Sequence, residues 1–188
     1  MTKKTKNKKK NKKTRSSSNP QKSHKELIIK KELLKQAISK SNIDDQYERI
    51  YKILGLEDVK DENRAAVNYG NLEKFLAYLK NETTFPIIVT GIEDMGCFGW
   101  EEYYNLGPGS KREYEKLKKK YPSFKDKYEL LCFNENFDDE EGLCVEVLRI
   151  DDKKKFTLTL ADLETVEKKS KNAQLLDDYA VWHTNFRI

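Results

Sequence analysis

The spacing of apolar residues divides this 188-residue chain into a helical front half and a β-rich back half. Up to residue 80 the apolar positions recur every three or four residues, which predicts amphipathic helices over 24–38, 43–54 and 72–80. Gly55 is expected to end the second of these helices, and Asn71 is expected to cap the third. The stretch between them is interpreted as a loop or a short helix.

After residue 85, apolar and polar residues alternate in short runs. Pro86 restricts the first run to a sheet edge or to the start of a strand. Arg149 is expected on the same strand face as Val145 and Val147. Helices on both sides of short antiparallel strands predict an α+β fold. The predicted strands are 85–90, 128–133, 143–150 and 156–160, with a hairpin turn at 151–153 and helices at 110–120 and 172–186.

The charges are separated along the chain, although the formal net charge is only +5. Residues 1–25 hold ten lysines, one arginine and no acid, so the rest of the chain carries a net charge of −6. The pattern predicts a disordered Lys-rich tail over 1–23, a helical N-terminal extension over 24–70 and a folded α+β domain over 71–188.

Two functions fit the basic tail. Lysines bind the phosphates of nucleic acid through counterion release, so residues 1–23 are a candidate for non-specific nucleic-acid binding. The same composition fits a solubilising tail, because no aromatic side chain is interleaved with the lysines.

Composition argues against several protein classes. The longest apolar runs have four or five residues, whereas a membrane-spanning helix needs ~20. No apolar segment follows the basic N-terminus, as one would in a signal peptide. The three cysteines, Cys97, Cys132 and Cys144, form no C-x-x-C pair, which argues against a disulfide framework and fits a reducing cytoplasm.

The motifs of common enzymes are incomplete. Gly91 and Gly96 have the spacing of a phosphate-binding loop, but the Lys and the Ser or Thr that should follow are missing. Cys132 and Cys144 lie in apolar strand patterns and are expected to be packed thiols. A nucleophilic pair of Cys97 with His183 has no supporting motif. Acid–base chemistry by carboxylates stays an alternative, but no pair stands out, and no enzymatic activity is expected.

Residues 134–142 (NENFDDEEG) form an acidic loop with five carboxylates within seven residues, between two predicted strands. A hard divalent cation would relieve their repulsion, and Ca²⁺ accepts about six to eight oxygen ligands in flexible geometry. The order of the acids is not that of an EF-hand. The alternative is a solvated loop without a ligand. Carboxylates that are candidates to join from outside the loop are Glu93, Asp94, Glu101, Glu102, Glu146, Asp177 and Asp178.

The last third of the chain resembles the cyanobacterial calcium-binding protein family CcbP. Residues 160–164 (LADLE) are similar to the family's Leu-x-x-Leu-Glu segment, and 178–182 (DYAVW) to its Asp-Trp-x-Tyr-Trp helix, with Asp178 at the Asp position. Upstream, 75–86 (FLAYLKNETTFP) resembles the family's entry from helix to strand. The segment 91–127 departs from the family, because it is longer and lacks a Pro-Leu-x-Val-Gly-Asp signature.

The resemblance implies a small antiparallel SH3-like β-barrel flanked by helices, which makes 71–188 a CcbP-like domain. It also implies Ca²⁺ as the ligand, and it assigns the metal role to Asp138, Asp139, Glu140 and Glu141. Glu146, on the next predicted strand, is expected to assist them. The expected function is a cytoplasmic, non-enzymatic Ca²⁺ buffer or sensor. The alternative is an interaction module that binds a protein partner and contacts nucleic acid through its tail.

Overall fold

The computed structural model describes residues 42–57, 61–93 and 95–187. The predicted tail, the predicted helix over 24–38 and Asp94 lie outside the described residues. Asp44–Ile188 forms one compact unit that contains all the strands described. None of the described helices has the length and apolar character needed to cross a membrane.

Two helices precede the sheet. Helix α1 covers 42–54, as predicted, and the chain turns at Gly55, whose φ of +69° favours glycine. Helix α2 spans Tyr69–Glu82 and is capped by Asn68, whose side chain accepts a hydrogen bond from the N–H of Asn71. The predicted cap, Asn71, is therefore wrong by three positions. Its buried amide instead donates to two backbone carbonyls of the preceding loop.

Five strands form one antiparallel sheet, with β1 Ile87–Gly91, β2 Lys127–Phe133, β3 Cys144–Arg149, β4 Lys155–Thr159 and β5 Leu163–Thr165. Their order across the sheet is β4-β3-β2-β1-β5. The first four confirm the predicted strands, whereas β5 is too short to show a period. Among the described strands, the outer pair β4 and β5 do not bond to each other, so the sheet is open and the SH3-like barrel stays a prediction.

Strand β1 lies inside the sheet. Val89 has Tyr128 of β2 as its partner on one side and Thr165 of β5 on the other. Pro86 stands just before the first residue of β1, so it marks the start of the strand and not a sheet edge.

The prediction of packed thiols is wrong for Cys132, which is exposed, while Cys144 is half-buried. The register of β2 shifts between Leu130 and Cys132, so that the inward positions of this strand are Tyr128, Leu130 and Phe133. A shift of one residue turns the following side chain to the opposite face.

The segment between β1 and β2 is held together by a buried carboxylate. It contains a 3-10 helix over Gly96–Glu101, helix α3 over Glu102–Asn105 and helix α4 over Lys111–Lys118, and only α4 was expected. Glu101 is fully buried. Its oxygens accept hydrogen bonds from the Tyr114 hydroxyl at 2.6 Å, the Ser123 hydroxyl at 2.7 Å and the Phe124 N–H at 2.8 Å.

Helix α5, Lys171–Asn185, packs one aromatic face into the core. Trp182 stacks on Phe75 of α2 with ring centroids 4.5 Å apart, and its indole N–H donates to the carbonyl of Ala65 at 2.7 Å. On the same helix, Asp178 is 1% exposed and accepts two hydrogen bonds of 2.8 Å from Arg49. These contacts fix α5 against both α1 and α2.

Arg149 lies on the inward face of β3 beside Val145 and Val147, as predicted. It is 4% exposed and binds Asp126 at 3.1 Å and Asp152 at 2.7 Å. Its hydrogen bonds to Asp152 lower the pKa of that carboxyl, and the same bonds raise the pKa of the guanidinium. The ion pairs tie the turn after β3 to the segment before β2.

We expect Arg149→Met to lower the free energy of unfolding by about 3 kcal/mol, the lower end of the cost of breaking a buried ion pair, because Asp126 would lose its buried guanidinium partner but keep Lys118 at 3.0 Å. The matched control is Lys154→Met, which removes an exposed cation 3.5 Å from Asp152. The control should cost less than about 1 kcal/mol. Denaturant unfolding of both variants checks this, and equal losses would contradict the assignment.

Candidate functional site

The acidic loop is shaped by one of its own carboxylates. Asp138 Oδ1 accepts hydrogen bonds from the N–H groups of Glu140 at 2.9 Å and Glu141 at 2.7 Å. The carbonyl of Asp138 accepts a further bond from the N–H of Gly142 at 2.9 Å. Such a side-chain-to-backbone turn needs no ligand, so this oxygen of Asp138 has a structural task.

The end of the loop is locked against α5. Gly142 has a φ of +73°, and a Cβ at this position would lie 2.2 Å from His183 Nε2 and 2.5 Å from the Tyr179 hydroxyl. That hydroxyl accepts a hydrogen bond of 2.6 Å from the N–H of Leu143. The close approach leaves room only for glycine, and it fixes the loop where the aromatic face of α5 meets β3.

The beginning of the loop is held by α2. Glu135 forms an exposed ion pair of 2.9 Å with Lys80, and the rings of Phe137 and Tyr69 lie 4.9 Å apart. The side-chain bond from Lys80 lowers the pKa of the Glu135 carboxyl. One of the five loop acids is therefore already neutralised by a cation.

Three consecutive acids, Asp139, Glu140 and Glu141, are exposed. Within the described part of the chain, none of them forms an ion pair. Arg187 comes near, but its guanidinium donates to the backbone carbonyl of Glu140 at 2.5 Å and not to a carboxylate. These acids are the part of the loop whose charge is left for a ligand.

A cleft of about 520 Å³ opens beside the loop, and Glu140 and Glu141 line it. Asp162, at the end of a 3-10 helix over Leu160–Asp162, lines the same cleft and is only 6% exposed. Burial raises the pKa of this carboxyl, which accepts a long hydrogen bond of 3.3 Å from the N–H of Cys97. The cleft therefore combines exposed acids with a desolvated one.

Gly96 allows Asp162 to take this position. A Cβ on Gly96 would lie 1.9 Å from Asp162 Oδ2, and the φ of Gly96 is +36°. The glycine that matched an incomplete phosphate-loop pattern thus makes room for a carboxylate.

Cys97 and His183 also line the cleft, but their pKa values are poorly matched for nucleophilic catalysis. Although Cys97 is exposed at the surface, desolvation by the surrounding protein and the neighbouring Asp162 raise the pKa of its thiol to about 12. Burial and the nearby Arg187 lower the pKa of His183 to about 4. At neutral pH the thiol is protonated and the imidazole is neutral, whereas an activated pair has a thiolate beside an imidazolium.

The predicted metal ligands are not brought into a preassembled site. Among the described residues, no group of three or more His, Cys, Asp or Glu side chains is placed to hold a metal ion. Glu146 lies on β3 between Cys132 and Thr157, outside the loop. The oxygen donors match the chemistry of a hard cation, but coordination requires side-chain movement. The set Asp138, Asp139, Glu140, Glu141 and Glu146 stays a prediction.

The outside candidates have other partners or stay in solvent. Glu101 and Asp178 are buried and fully engaged in the hydrogen bonds given above, and Asp177 accepts a bond of 2.8 Å from Gln46. Glu93 and Glu102 are exposed.

Sequence reasoning missed Asp162 and the role of His183. Asp162 lies inside the LADLE motif, where the apolar residues drew attention to packing. His183 follows Trp182 in the aromatic helix, and the helical period places it beside Tyr179 at i+4. The position of each residue in its motif could be seen in the sequence. Which residues each of them contacts depends on the tertiary fold.

No family model and no curated protein matches the chain. Two solved structures are similar to it. One is of a calcium-binding protein in its calcium-binding form, with 16% sequence identity and a TM-score of 0.44, and the other is of CcbP from Anabaena, with 15% identity and a TM-score of 0.47. Each comparison covers 77% of this chain and 94% of the other. The second protein carries the name of the family that the sequence motifs resemble. Because both TM-scores are below 0.5, no ligand is inferred from these two structures, and a binding site has to be argued from the side chains of this chain.

We expect Gly142→Ala to destabilise the protein more than Gly55→Ala does. Both glycines have left-handed φ angles, which cost alanine about 1–2 kcal/mol. Gly55 faces open space, whereas Gly142 faces His183 and Tyr179, so a clash should add about 1–3 kcal/mol. Thermal and denaturant unfolding compare the two variants, and equal destabilisation would mean that the loop end is not locked against α5.

The lowered pKa of His183 predicts acid sensitivity. Because the unfolded chain binds this proton near pH 6.5 and the folded chain only near pH 4, stability is full above pH 6.5 and is lost as the pH falls towards 4. Between pH 7 and pH 5 the loss should be at most about 2 kcal/mol. His183→Gln should remove this part of the pH dependence. An NMR titration of the ring with a midpoint near 6.5 would contradict the prediction.

Proposed function

We propose that this chain binds Ca²⁺ at the acidic loop, with Glu140 and Glu141 as the principal ligands on the side that faces the cleft. Asp139 and Glu146 assist, and Asp138 holds the loop turn while it adds negative charge. The role is that of a non-enzymatic buffer or sensor in the cytoplasm. Ca²⁺ is also the ion that the sequence resemblance to CcbP proteins implies.

The observation that carries the proposal is an excess of negative charge, because the described residues that line the cleft include three acids and one cation, Arg187. Glu140, Glu141 and the buried Asp162 line one cleft, and none of them has an ion pair within the described residues. Carboxylates that outnumber the cations of one cleft repel one another, and a hard cation replaces that repulsion with attraction. Flexible coordination suits a loop whose backbone is pinned at both ends and whose side chains are exposed.

The test is a calorimetric Ca²⁺ titration of the full chain in excess Mg²⁺, with amide chemical shifts followed in parallel. We expect saturable binding and shifts concentrated in residues 134–142. Glu140→Gln together with Glu141→Gln should weaken binding by roughly tenfold or more, because ligand charge sets the affinity of such sites. Arg187→Gln should strengthen binding, since it removes the cation nearest to Glu140.

The matched control is Glu73→Gln with Glu167→Gln, which removes the same charge from two exposed positions outside the cleft. This control should bind Ca²⁺ as the wild type does. Equal weakening in both double variants would reduce the effect to net charge and would contradict the site. Absence of saturable binding up to millimolar Ca²⁺ would refute the function itself.

A further inference from the structure

Five aromatic side chains form a surface cluster on the segment between β1 and β2, which the calcium proposal does not use. We call Trp100, Tyr103, Tyr104, Tyr114 and Tyr121 the aromatic platform. Neighbouring rings have centroids 5.0–6.2 Å apart and lie at mixed angles. Tyr103 and Tyr121 are 55% and 53% exposed, and the other three are half-buried.

Hydrogen bonds and close packing fix the side chains of the platform. The indole N–H of Trp100 donates to the carbonyl of Pro122 at 2.9 Å, and the Tyr114 hydroxyl donates to the buried Glu101. Gly109 packs so closely that a Cβ there would lie 2.4 Å from the Tyr104 ring. Aromatic faces that are exposed and already ordered lose little conformational entropy when a flat ligand stacks on them.

Cations are concentrated in the segment that carries part of the platform. Residues 111–127 contain eight Lys or Arg against three acids, in a folded body that is otherwise acidic. Lys125 Nζ lies 5.8 Å from the Tyr114 ring centroid, and Lys120 directly precedes Tyr121. Within the described residues, the exposed cations of this segment that form no ion pair include Lys111, Arg112, Lys116, Lys119 and Lys120.

We propose that the aromatic platform and the lysines of residues 111–127 bind single-stranded nucleic acid. Stacking on an exposed aromatic face needs an unpaired base, and lysines beside the stack meet the phosphates that connect the bases. Base-paired duplexes offer their phosphates but keep their bases stacked on one another. An acidic protein would match the charge and leave the aromatic faces without a planar partner. This proposal differs from the predicted contact of the tail with nucleic acid. The tail has lysines for phosphates but no aromatic side chain on which a base could stack.

The chain supplies its own reporter for the test. Trp100 lies in the platform, and the other tryptophan, Trp182, is fully buried in the core. Titration of the full chain with an oligouridine of about 12 nucleotides should quench Trp100 fluorescence saturably. Binding by the tail alone would be seen in the anisotropy of a labelled oligonucleotide but would not quench Trp100.

Stacking and phosphate contacts are separated by two sets of variants. Tyr103→Ala with Tyr121→Ala should weaken binding at least roughly fivefold at unchanged salt dependence, and the corresponding Phe variants should restore it. Lys119→Gln with Lys120→Gln should weaken binding and make the slope of log affinity against log salt shallower by about 1–2. The matched control is Lys168→Gln with Lys169→Gln, which should leave the quenching curve unchanged.

Three results would overturn the proposal. The first is oligouridine binding without quenching of Trp100, which would assign all contacts to the tail. The second is equal quenching by polyglutamate at the same charge concentration, which would make the surface a site for acidic protein. The third is an alanine double variant that binds as tightly as the Lys168 and Lys169 control. In Trp100→Phe, quenching should disappear while the anisotropy change stays.

Discussion

The burial of one face of α5 is the constraint on which the rest of the structure depends. Tyr179 and Trp182 are inaccessible to solvent, and His183 is nearly so. The same three rings serve different neighbours, since Trp182 stacks on α2 while Tyr179 and His183 press against Gly142. Sheet, helices and acidic loop therefore meet at one helix, and the loop cannot shift its end without disturbing the core.

The folded body has more carboxylates than cations, and its buried carboxylates differ in the hydrogen bonds and ion pairs that they form. Glu101, Asp126 and Asp178 are buried, and each is satisfied by several donors or by an arginine or lysine. Such acids are bound to the fold and are unavailable to a ligand. Asp162 differs, because it is buried and its carboxylate accepts one long hydrogen bond from the residues that the structure describes. The contrast separates structural acids from those that line the cleft.

Periodicity predicted most elements, because long helices and alternating strands bury one face. It failed for β5 and for the 3-10 helices, which are too short to complete a period. Asn71 was mistaken for a cap because both Asn68 and Asn71 precede the apolar face, and only the loop carbonyls distinguish them. In the site, the acidic loop was visible in the sequence. Asp162 and Arg187 became part of it only through the tertiary fold, which also gave Gly142 its contact with α5.

The segment between β1 and β2 is longer than the CcbP segment it was compared with in sequence, and the sheet explains why the fold accepts it. β1 and β2 pair directly from Ile87–Leu130 to Thr90–Lys127, so the 35 residues between Gly91 and Lys127 leave the ladder intact. Because hydrogen bonds to the buried Glu101 hold this segment together, the strand pairing does not restrict which residues its surface carries. Its lysines and tyrosines stand on a body of net negative charge. Under the two proposals above, this separation of charge would favour a polyanion at residues 111–127 and Ca²⁺ at the acidic loop.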